Sequence, residues 1–137
     1  MEKSDKPKNI EMKQILLAAA LSFWSCLSMA STTAAPVRAE IDALLSRLQS
    51  SGCQFYRNGS WYSASEAKDH LLRKLEHFED KSTIQRSEQF IELAASKSSS
   101  SGKPYYVKCG AEAALESAQW LNKQLVSLRA SSVTGKP

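Results

Sequence analysis

The sequence SGCQFYRNGSWYSASEAKDHLLRKL, residues 51–75, contains the signals for a β-hairpin that is followed directly by a helix. The pair Asn58 and Gly59 stands between two arms that are rich in aromatic residues. This pair readily takes the positive φ angles that a two-residue hairpin turn requires. The stretch therefore predicts two short strands, at about 53–57 and 60–62.

A helix signal follows the second strand within the same stretch. Ser63 lies three positions before Glu66, which is the spacing of a capping box, in which each side chain accepts a backbone N–H at the helix start. Apolar residues then recur at helical spacing, namely Ala67, Leu71, Leu75 and Phe78. We therefore predict a helix over about 64–79 that has one apolar face.

Outside this stretch the pattern predicts three further helices and one further strand. The first helix has an apolar stripe from Val37 to Leu48 and ends before Gly52. The others are a helix at about 86–96, a strand at 105–109, and a last helix from Glu112, or only from Ser117, to about Leu128. The order α-β-β-α-α-β-α predicts an α+β fold, in which a small, mostly antiparallel sheet of the hairpin and one further strand packs with about four helices.

The first 30 residues resemble a targeting segment rather than part of the fold. Lys13 precedes an apolar run from Ile15 to Leu27, and small residues follow the run. This arrangement is typical of a secretory signal peptide, whose translation starts at Met1 or at Met12. The alternative is a retained anchor, but the run is shorter than the ~20 residues of a membrane-spanning helix.

Cleavage of the signal peptide is predicted between Ala30 and Ala34. We therefore expect a periplasmic protein that has no stable membrane anchor after cleavage. Residues 31–36 are then a flexible leader, residues 37–129 a single α+β domain, and residues 130–137 a frayed tail. The chain is long enough for one domain and not for two.

Two cysteines remain after such a cleavage, because Cys26 lies within the apolar run. Cys53 and Cys109 form an even pair in an exported chain, which favours a disulfide. A bridge at this separation would stabilise the fold by roughly 4 kcal/mol in the loop-entropy model. The alternative, a metal site or a catalytic thiol pair, lacks a C-x-x-C motif and a neighbouring histidine.

His70 and His77 are too far apart on one helix to share an ion, so we predict no metal and no cofactor.

The charge of the chain is mildly basic and evenly spread. The sequence has 18 Lys and Arg against 14 Asp and Glu, which gives a formal net charge of +4. It contains no long run of like charges. This pattern indicates a solvated surface of mixed charge and predicts no nucleic-acid partner.

Several short motifs follow one another in order across the predicted domain. They are F-x-R-N-G, E-A-x-x-H-L-x-x-K-L, E-Q-F-I, S-G-K-P-Y and V-K-C. The positions are Phe55, Arg57, Asn58, Gly59, Glu66, Ala67, His70, Leu71, Lys74, Leu75, Glu88, Gln89, Phe90, Ile91, Ser101, Gly102, Lys103, Pro104, Tyr105, Val107, Lys108 and Cys109. Taken together, the motifs resemble the YfeK-like family of small exported bacterial proteins, over about residues 40–128. The resemblance implies an exported protein without an assigned activity, and it supplies no catalytic residue.

One group of polar residues is a candidate binding site. His70 and Lys74 lie in one line along the second helix, and Lys74 is at the edge of its apolar face. Arg57 ends the hairpin arm beside this helix, and Lys103 and Tyr105 flank the strand that is expected in the same sheet. These five residues would form a polar pocket for an anion such as a carboxylate, a phosphate or an acidic peptide.

The alternative for the same helix is a purely structural role. Glu66 would then pair with His70, and the stem of Lys74 would cover the edge of the core. Three aromatic residues would either cap the core or face a protein partner. They are Trp61, Tyr62 and Trp120.

These observations favour a non-enzymatic binding or interaction module for an envelope protein or a small anionic ligand. The alternative is a small periplasmic enzyme, hydrolase-like or redox-assisting, with its site around His70 and Lys74. A deep pocket with a reactive hydroxyl beside these two residues would favour the enzyme. A shallow surface with exposed aromatic residues would favour the partner module.

Overall fold

The computed structural model describes residues 33–135, and the predicted signal peptide, both candidate start sites and Cys26 lie outside these residues. The helices are α1 Ala35–Ser50, α2 Ala64–Glu79, α3 Ser87–Phe90 and α4 Ser117–Thr134, and a π-helical segment, Ile91–Ala95, continues α3. The strands are β1 Gln54–Arg57, β2 Ser60–Tyr62, β3 Tyr106–Lys108 and β4 Leu115–Glu116. Within the described residues, none of the helices has the length and apolar character needed to cross a membrane.

The strands form one antiparallel sheet in the order β2-β1-β3-β4. The predicted α+β class and the order of the elements are confirmed, and β4 is a strand that the sequence analysis did not predict. It has two residues, and Leu115 pairs with Val107 of β3. The helices cover one face of the sheet, where Phe55 and Val107 are buried. Tyr56 and Tyr106 pair across β1 and β3 on the opposite face.

The hairpin turn has the backbone conformation that its sequence predicts. Asn58 has a φ of 49° and Gly59 a φ of 91°, so both central residues are in the left-handed region. The Asn58 side chain also holds the serine-rich loop. Its Nδ2 donates to Ser98 Oγ at 3.2 Å, and its Oδ1 accepts from Ser101 Oγ at 2.8 Å. The turn and this loop are therefore packed together.

The start of α2 confirms the predicted capping box. The Ser63 hydroxyl accepts the backbone N–H of Glu66 at 3.3 Å, and the Glu66 carboxylate accepts the backbone N–H of Ser63 at 2.8 Å. These two bonds fix the first turn of the helix immediately after β2. The orientation of every later residue of α2 relative to the sheet follows from this start.

The core lies between the helices and the inner face of the sheet. The predicted stripe of α1 is confirmed, since Ile41, Leu44, Leu45 and Leu48 are fully buried and Val37 is packed against them. The other elements contribute Leu71, Leu75, Phe90, Ile91, Leu121 and Leu125. Burial of each large aliphatic side chain stabilises the fold by about 1.5–3 kcal/mol.

A disulfide joins Cys53 and Cys109, as predicted. Cys53 precedes β1 and Cys109 follows β3, and the adjacent residues Gln54 and Lys108 pair across these two strands. The Cα atoms of the two cysteines are 4.3 Å apart. The bond therefore closes one end of the central strand pair.

The boundaries of the last two helical regions differ in detail from the predicted ones. The region predicted at 86–96 consists of α3 and the π-helical segment. The last helix begins at Ser117, the later of the two predicted starts, and extends to Thr134, beyond the predicted end near Leu128. The residues after 128 include Arg129, which contributes to the contacts of α4 with its neighbours.

Arg129 links α4 to α1 and α3 through two carboxylates. Its guanidinium lies 2.8 Å from Glu40 and 2.6 Å from Glu88. The Ser87 hydroxyl donates to Glu40 at 2.6 Å. Hydrogen bonds to Arg129 lower the pKa of both carboxyls. Each exposed ion pair of this kind stabilises a fold by about 0–1 kcal/mol.

Trp120 is buried, so its predicted role as a partner contact is wrong. Only 8% of the residue is exposed, and its ring packs edge-on against Phe55 with the centroids 5.8 Å apart. The physical reason is the position of α4, which packs on the sheet as well as on the other helices. A residue off the main apolar stripe of α4 is therefore still covered.

Candidate functional site

A cavity of about 280 Å³ lies between α2 and the inner face of the sheet. This volume is close to the lower end of the range for ligand pockets, about 300–1,000 Å³. Its apolar and aromatic walls are formed by Phe55, Tyr62, Ala67 and Leu71, and Tyr56 also touches the lining although its ring lies on the opposite face of the sheet. Its buried and half-buried polar residues are Arg57, His70, Tyr105 and Ser117. Three exposed charged residues of α2 complete the lining, namely Glu66, Asp69 and Arg73.

Strand and helix periodicity bring the polar residues together. Arg57 is the last residue of β1 and lies two positions after Phe55, so it faces the helices as Phe55 does. His70 lies three positions after the buried Ala67 on α2 and shares its side of the helix. Tyr105 directly precedes β3, and it is buried beneath α2. These three residues were predicted to share one pocket, and they are in contact.

Hydrogen bonds connect these residues in a chain. Arg57 Nη1 lies 3.2 Å from His70 Nδ1, and His70 Nε2 lies 3.1 Å from the Tyr105 hydroxyl. Because a guanidinium only donates, Nδ1 accepts and the proton of a neutral His70 is on Nε2, which donates to Tyr105. Lys74 Nζ donates to the Tyr105 oxygen at 3.4 Å and to the Lys97 carbonyl at 2.8 Å. The Tyr105 oxygen is thus an acceptor twice, and its own proton is left for another acceptor.

The pKa values agree with this pattern of donors. Burial lowers the pKa of His70 to about 4, and the charges of Arg57, Lys74 and Arg73 add to the effect. Burial, together with the charge of Arg57, lowers the pKa of Lys74 to about 8. Burial raises the pKa of Tyr105. At neutral pH, His70 and Tyr105 are therefore uncharged, and Lys74 is mostly charged.

The cations of this cluster have no acidic partner among residues 33–135. Neither Arg57 nor Lys74 forms an ion pair with a carboxylate there. The guanidinium carbon of Arg57 lies instead 4.7 Å from the centre of the Tyr62 ring. Because a half-buried cation is least costly beside a negative charge, the cluster is electrostatically suited to an added anion.

The alternative, a purely structural role in which Glu66 pairs with His70 and Lys74 covers the edge of the core, is formed only in part. The Glu66 carboxylate accepts bonds from both the backbone and the hydroxyl of Ser63, and His70 bonds to other partners. The predicted pair of Glu66 with His70 is therefore absent among the described contacts. Lys74 is half-buried at the edge of the core, as the amphipathic pattern predicts.

Lys103 does not join the cluster, so this part of the predicted pocket is wrong. Its side chain is exposed and does not line the cavity. The strand begins only at Tyr106, and the residues before it form a loop in which Lys97 pairs with Pro104. The extended backbone that would have carried Lys103 toward the pocket is therefore not formed.

Ser117 is a cavity residue that the sequence analysis did not identify. It is the first residue of α4 and is only 2% exposed, and its backbone N–H donates to the Tyr105 carbonyl at 2.8 Å. Its hydroxyl forms no hydrogen bond with any other residue of the described range. The sequence gives no signal for this position, because it depends on the pairing of β4.

The remaining predicted contact residues have different environments. Trp61 is 44% exposed on the outer face of the sheet, where its ring lies 5.2 Å from that of Tyr56. Tyr106 continues this aromatic row on the next strand, at 6.2 Å from Tyr56. Tyr62 instead lines the cavity and is half-buried. Of the three predicted aromatic contacts, Trp61 alone is exposed.

Within residues 33–135, this cluster contains neither a set of metal ligands nor a free thiol. Among the described residues, no three His, Cys, Asp or Glu side chains are arranged to hold a metal ion. Cys53 and Cys109 are bonded to each other. The polar groups of the cavity are therefore the donors of Arg57, His70, Tyr105 and Ser117 and the exposed charged side chains of α2, namely Glu66, Asp69 and Arg73.

The fold and the cavity define a small α+β protein with a disulfide-closed sheet and a cavity beneath one helix that is lined by Arg57, His70 and Tyr105. Residues 35–129 match the family of unknown function DUF5329, and the chain belongs to this family. The chain is also similar to the uncharacterized protein YfeK of Salmonella typhimurium, with 43% identity over 68 residues. The aligned segment covers 49% of this chain and 55% of that protein, so it spans about half of the relative's length. The resemblance to the YfeK-like family is thus confirmed, and no solved structure matches the chain.

Proposed function

We propose that this protein is an exported, non-enzymatic binding module that holds a small anionic ligand in the cavity beneath α2. The observation that supports the proposal is the chain of donors from Arg57 through His70 to Tyr105. Four of the guanidinium N–H groups of Arg57 are not used by His70, and the Tyr105 proton is also available. A carboxylate or phosphate oxygen is the complementary group for such donors.

Electrostatics favour the same ligand class. His70 is held neutral beside three cations, and Lys74 loses part of its affinity for a proton through Arg57. An anion in the cavity would offset this repulsion and stabilise the charged form of each cation. Binding would therefore raise the pKa of Lys74, which makes ligand affinity decrease as the pH rises above about 8.

A binding role fits the geometry better than the alternative enzyme. In a hydrolase-like site, His70 would need an accepting nitrogen directed at a nucleophile such as the Ser117 hydroxyl. Nδ1 instead accepts from Arg57, and Nε2 bonds to Tyr105. A redox-assisting role would need thiols at the cavity, whereas the disulfide lies at the other end of β1 and β3.

Export is supported by two independent features. The apolar run from Ile15 to Leu27 has the length of a signal peptide. The disulfide between Cys53 and Cys109 is of the kind that persists in an oxidising compartment such as the periplasm. Intact-mass measurement of protein from periplasmic extract tests this part. We expect a mass for cleavage between Ala30 and Ala34, and a full-length mass would contradict it.

The ligand proposal is tested by titration with small carboxylates and phosphates. We expect binding in the wild type, at least a tenfold loss in Arg57→Met, which removes a charged donor, and no change in Lys123→Met. Lys123 is an exposed residue of α4, so its replacement removes the same charge away from the cavity. Failure of every compound to bind the wild type up to about 10 mM, or equal affinity in Arg57→Met, would reject the proposal.

An envelope protein as a partner is the second candidate, because Trp61 is exposed beside Tyr56 and Tyr106. Exposed aromatic side chains are enriched at the centre of protein interfaces. A photoreactive phenylalanine analogue at position 61 tests this role in the periplasm. We expect a discrete crosslinked adduct at position 61 and none at position 126, where Val126 is more exposed on α4. The same adducts from both positions would argue against it.

A further inference from the structure

The strand register places three cavity residues in one row across the sheet. Tyr56 pairs with Tyr106, so the next pair toward the hairpin turn is Arg57 with Tyr105. Tyr106 pairs with Glu116, so Tyr105 is followed across the sheet by Ser117, and the 2.8 Å bond from Ser117 N–H to the Tyr105 carbonyl agrees with this register. Neighbouring strands are about 4.8 Å apart, so the Cα atoms of the outer two residues are about 10 Å apart.

The two ends of this row are both equipped for an acceptor group. At one end, Arg57 supplies charged donors. At the other end, Ser117 is only 2% exposed and lines the cavity, and its hydroxyl forms no hydrogen bond with another residue of the range 33–135. The Ser117 hydroxyl can therefore donate to a ligand acceptor at this point of the cavity.

The N-terminus of α4 also favours an acceptor group at the Ser117 end of the row. Ser117 is the first residue of this 18-residue helix, and none of the side chains in the described part of the chain caps its N-terminus. The N-terminus of a helix has a partial positive charge and favours acceptors and anions. Glu116 does not cancel this charge on the cavity side, because it pairs with Tyr106 on the outer face of the sheet.

We infer that the ligand is a linear molecule with an acceptor group at each end, of the α,ω-dicarboxylate or half-amide class. One carboxylate lies at Arg57, the other acceptor lies at the Ser117 hydroxyl, and the chain between them crosses Tyr105, the middle residue of the row. The inference rests on the proposed anion-binding function. It adds the second attachment point and the length of the ligand, which the first proposal leaves open.

The test compares α,ω-dicarboxylates from succinate to suberate with monocarboxylates of the same chain length. In the wild type, affinity is expected to pass through a maximum at one dicarboxylate length and to exceed that of the matched monocarboxylate about tenfold or more. Ser117→Ala should remove this advantage and leave monocarboxylate binding unchanged. Arg57→Met should weaken both series.

The two proposals fail in different ways in this experiment. If dicarboxylates show no preferred length, or if Ser117→Ala binds them as the wild type does, the second attachment point is wrong and the anion site at Arg57 stands. If neither series binds to the wild type, or Arg57→Met binds both as the wild type does, both proposals are wrong. Thermal unfolding of Ser117→Ala shows whether the variant is folded. If it is not, Ser117→Thr replaces it, because this variant keeps the hydroxyl but crowds the cavity. Ser117→Thr should bind monocarboxylates normally and lose the preferred dicarboxylate length. An unchanged length profile would overturn the inference.

Discussion

Acidification should destabilise this protein through His70. The pKa of His70 is about 4 in the folded state, against an ordinary value of 6.5. Between these two values the unfolded chain binds a proton that the folded protein does not bind. The contribution of His70 to stability is therefore complete above about pH 6.5 and decreases as the pH falls toward about 4.

The size of the effect follows from the same two values. At about 1.36 kcal/mol for each pKa unit, the difference corresponds to at most ~3.4 kcal/mol. His70 is only partly buried, so water screens the interaction with Arg57 and Lys74. We expect the free energy of unfolding to fall by about 1–2 kcal/mol between about pH 7.5 and about pH 4.5 through this residue alone.

Urea unfolding at several pH values measures this contribution. The His70→Gln variant keeps a donor and an acceptor but cannot take up a proton, so its stability should fall less steeply than that of the wild type. His77→Gln is the matched control, since His77 is an exposed residue of the same helix. Glu40 and Glu88, whose pKa values are lowered by hydrogen bonds to Arg129, are present in all three proteins, so any contribution from them cancels in the comparison.

One result would refute this reasoning. If the stability of His70→Gln falls with pH as steeply as that of the wild type and of His77→Gln, then His70 is not held neutral by its surroundings. The contact of Nδ1 with Arg57 would then not be sufficient to keep the ring neutral at this pH.

Three further predictions concern stability at neutral pH and are measured by urea or thermal unfolding. Replacement of both Cys53 and Cys109 by alanine should lower the free energy of unfolding by about 4 kcal/mol, and a loss below about 1 kcal/mol would contradict the entropic estimate. Ser63→Ala should cost about 1 kcal/mol because it removes the cap of α2, whereas the exposed Ser65→Ala should be nearly neutral. Leu75→Ala should cost about 2–5 kcal/mol because Leu75 is fully buried, and an equal loss in the partly buried Leu72→Ala would argue against this packing.

The features that depend on neighbouring residues in the sequence could be predicted. The hairpin turn at Asn58 and Gly59 and the capping box at Ser63 need only a few consecutive residues, and both are confirmed. The pairing of Cys53 with Cys109 followed from their number and the predicted export. The contacts of Arg57, His70, Lys74 and Tyr105 also followed, because strand and helix periodicity place them on facing surfaces.

The features that depend on tertiary contacts could not be predicted. β4 has two residues and no pattern of its own, since it exists through pairing with β3. Trp120 is buried because α4 touches two layers, and Ser117 enters the cavity because β4 fixes the start of that helix. The predicted position of Lys103 in the pocket was wrong because its neighbours form a tight loop. Local propensity did not distinguish this loop from a longer strand.

The disulfide lies away from the cavity, so its reduction should shorten the lifetime of the protein without changing its affinity for a ligand. Cys53 lies four residues before Arg57, which corresponds to about 13 Å along the strand. A reduced molecule would open more often and be degraded faster by proteases, yet each folded copy would present the same groups to a ligand. Oxidant supply in the compartment should therefore regulate how much of this protein is present, and leave the affinity of each molecule unchanged.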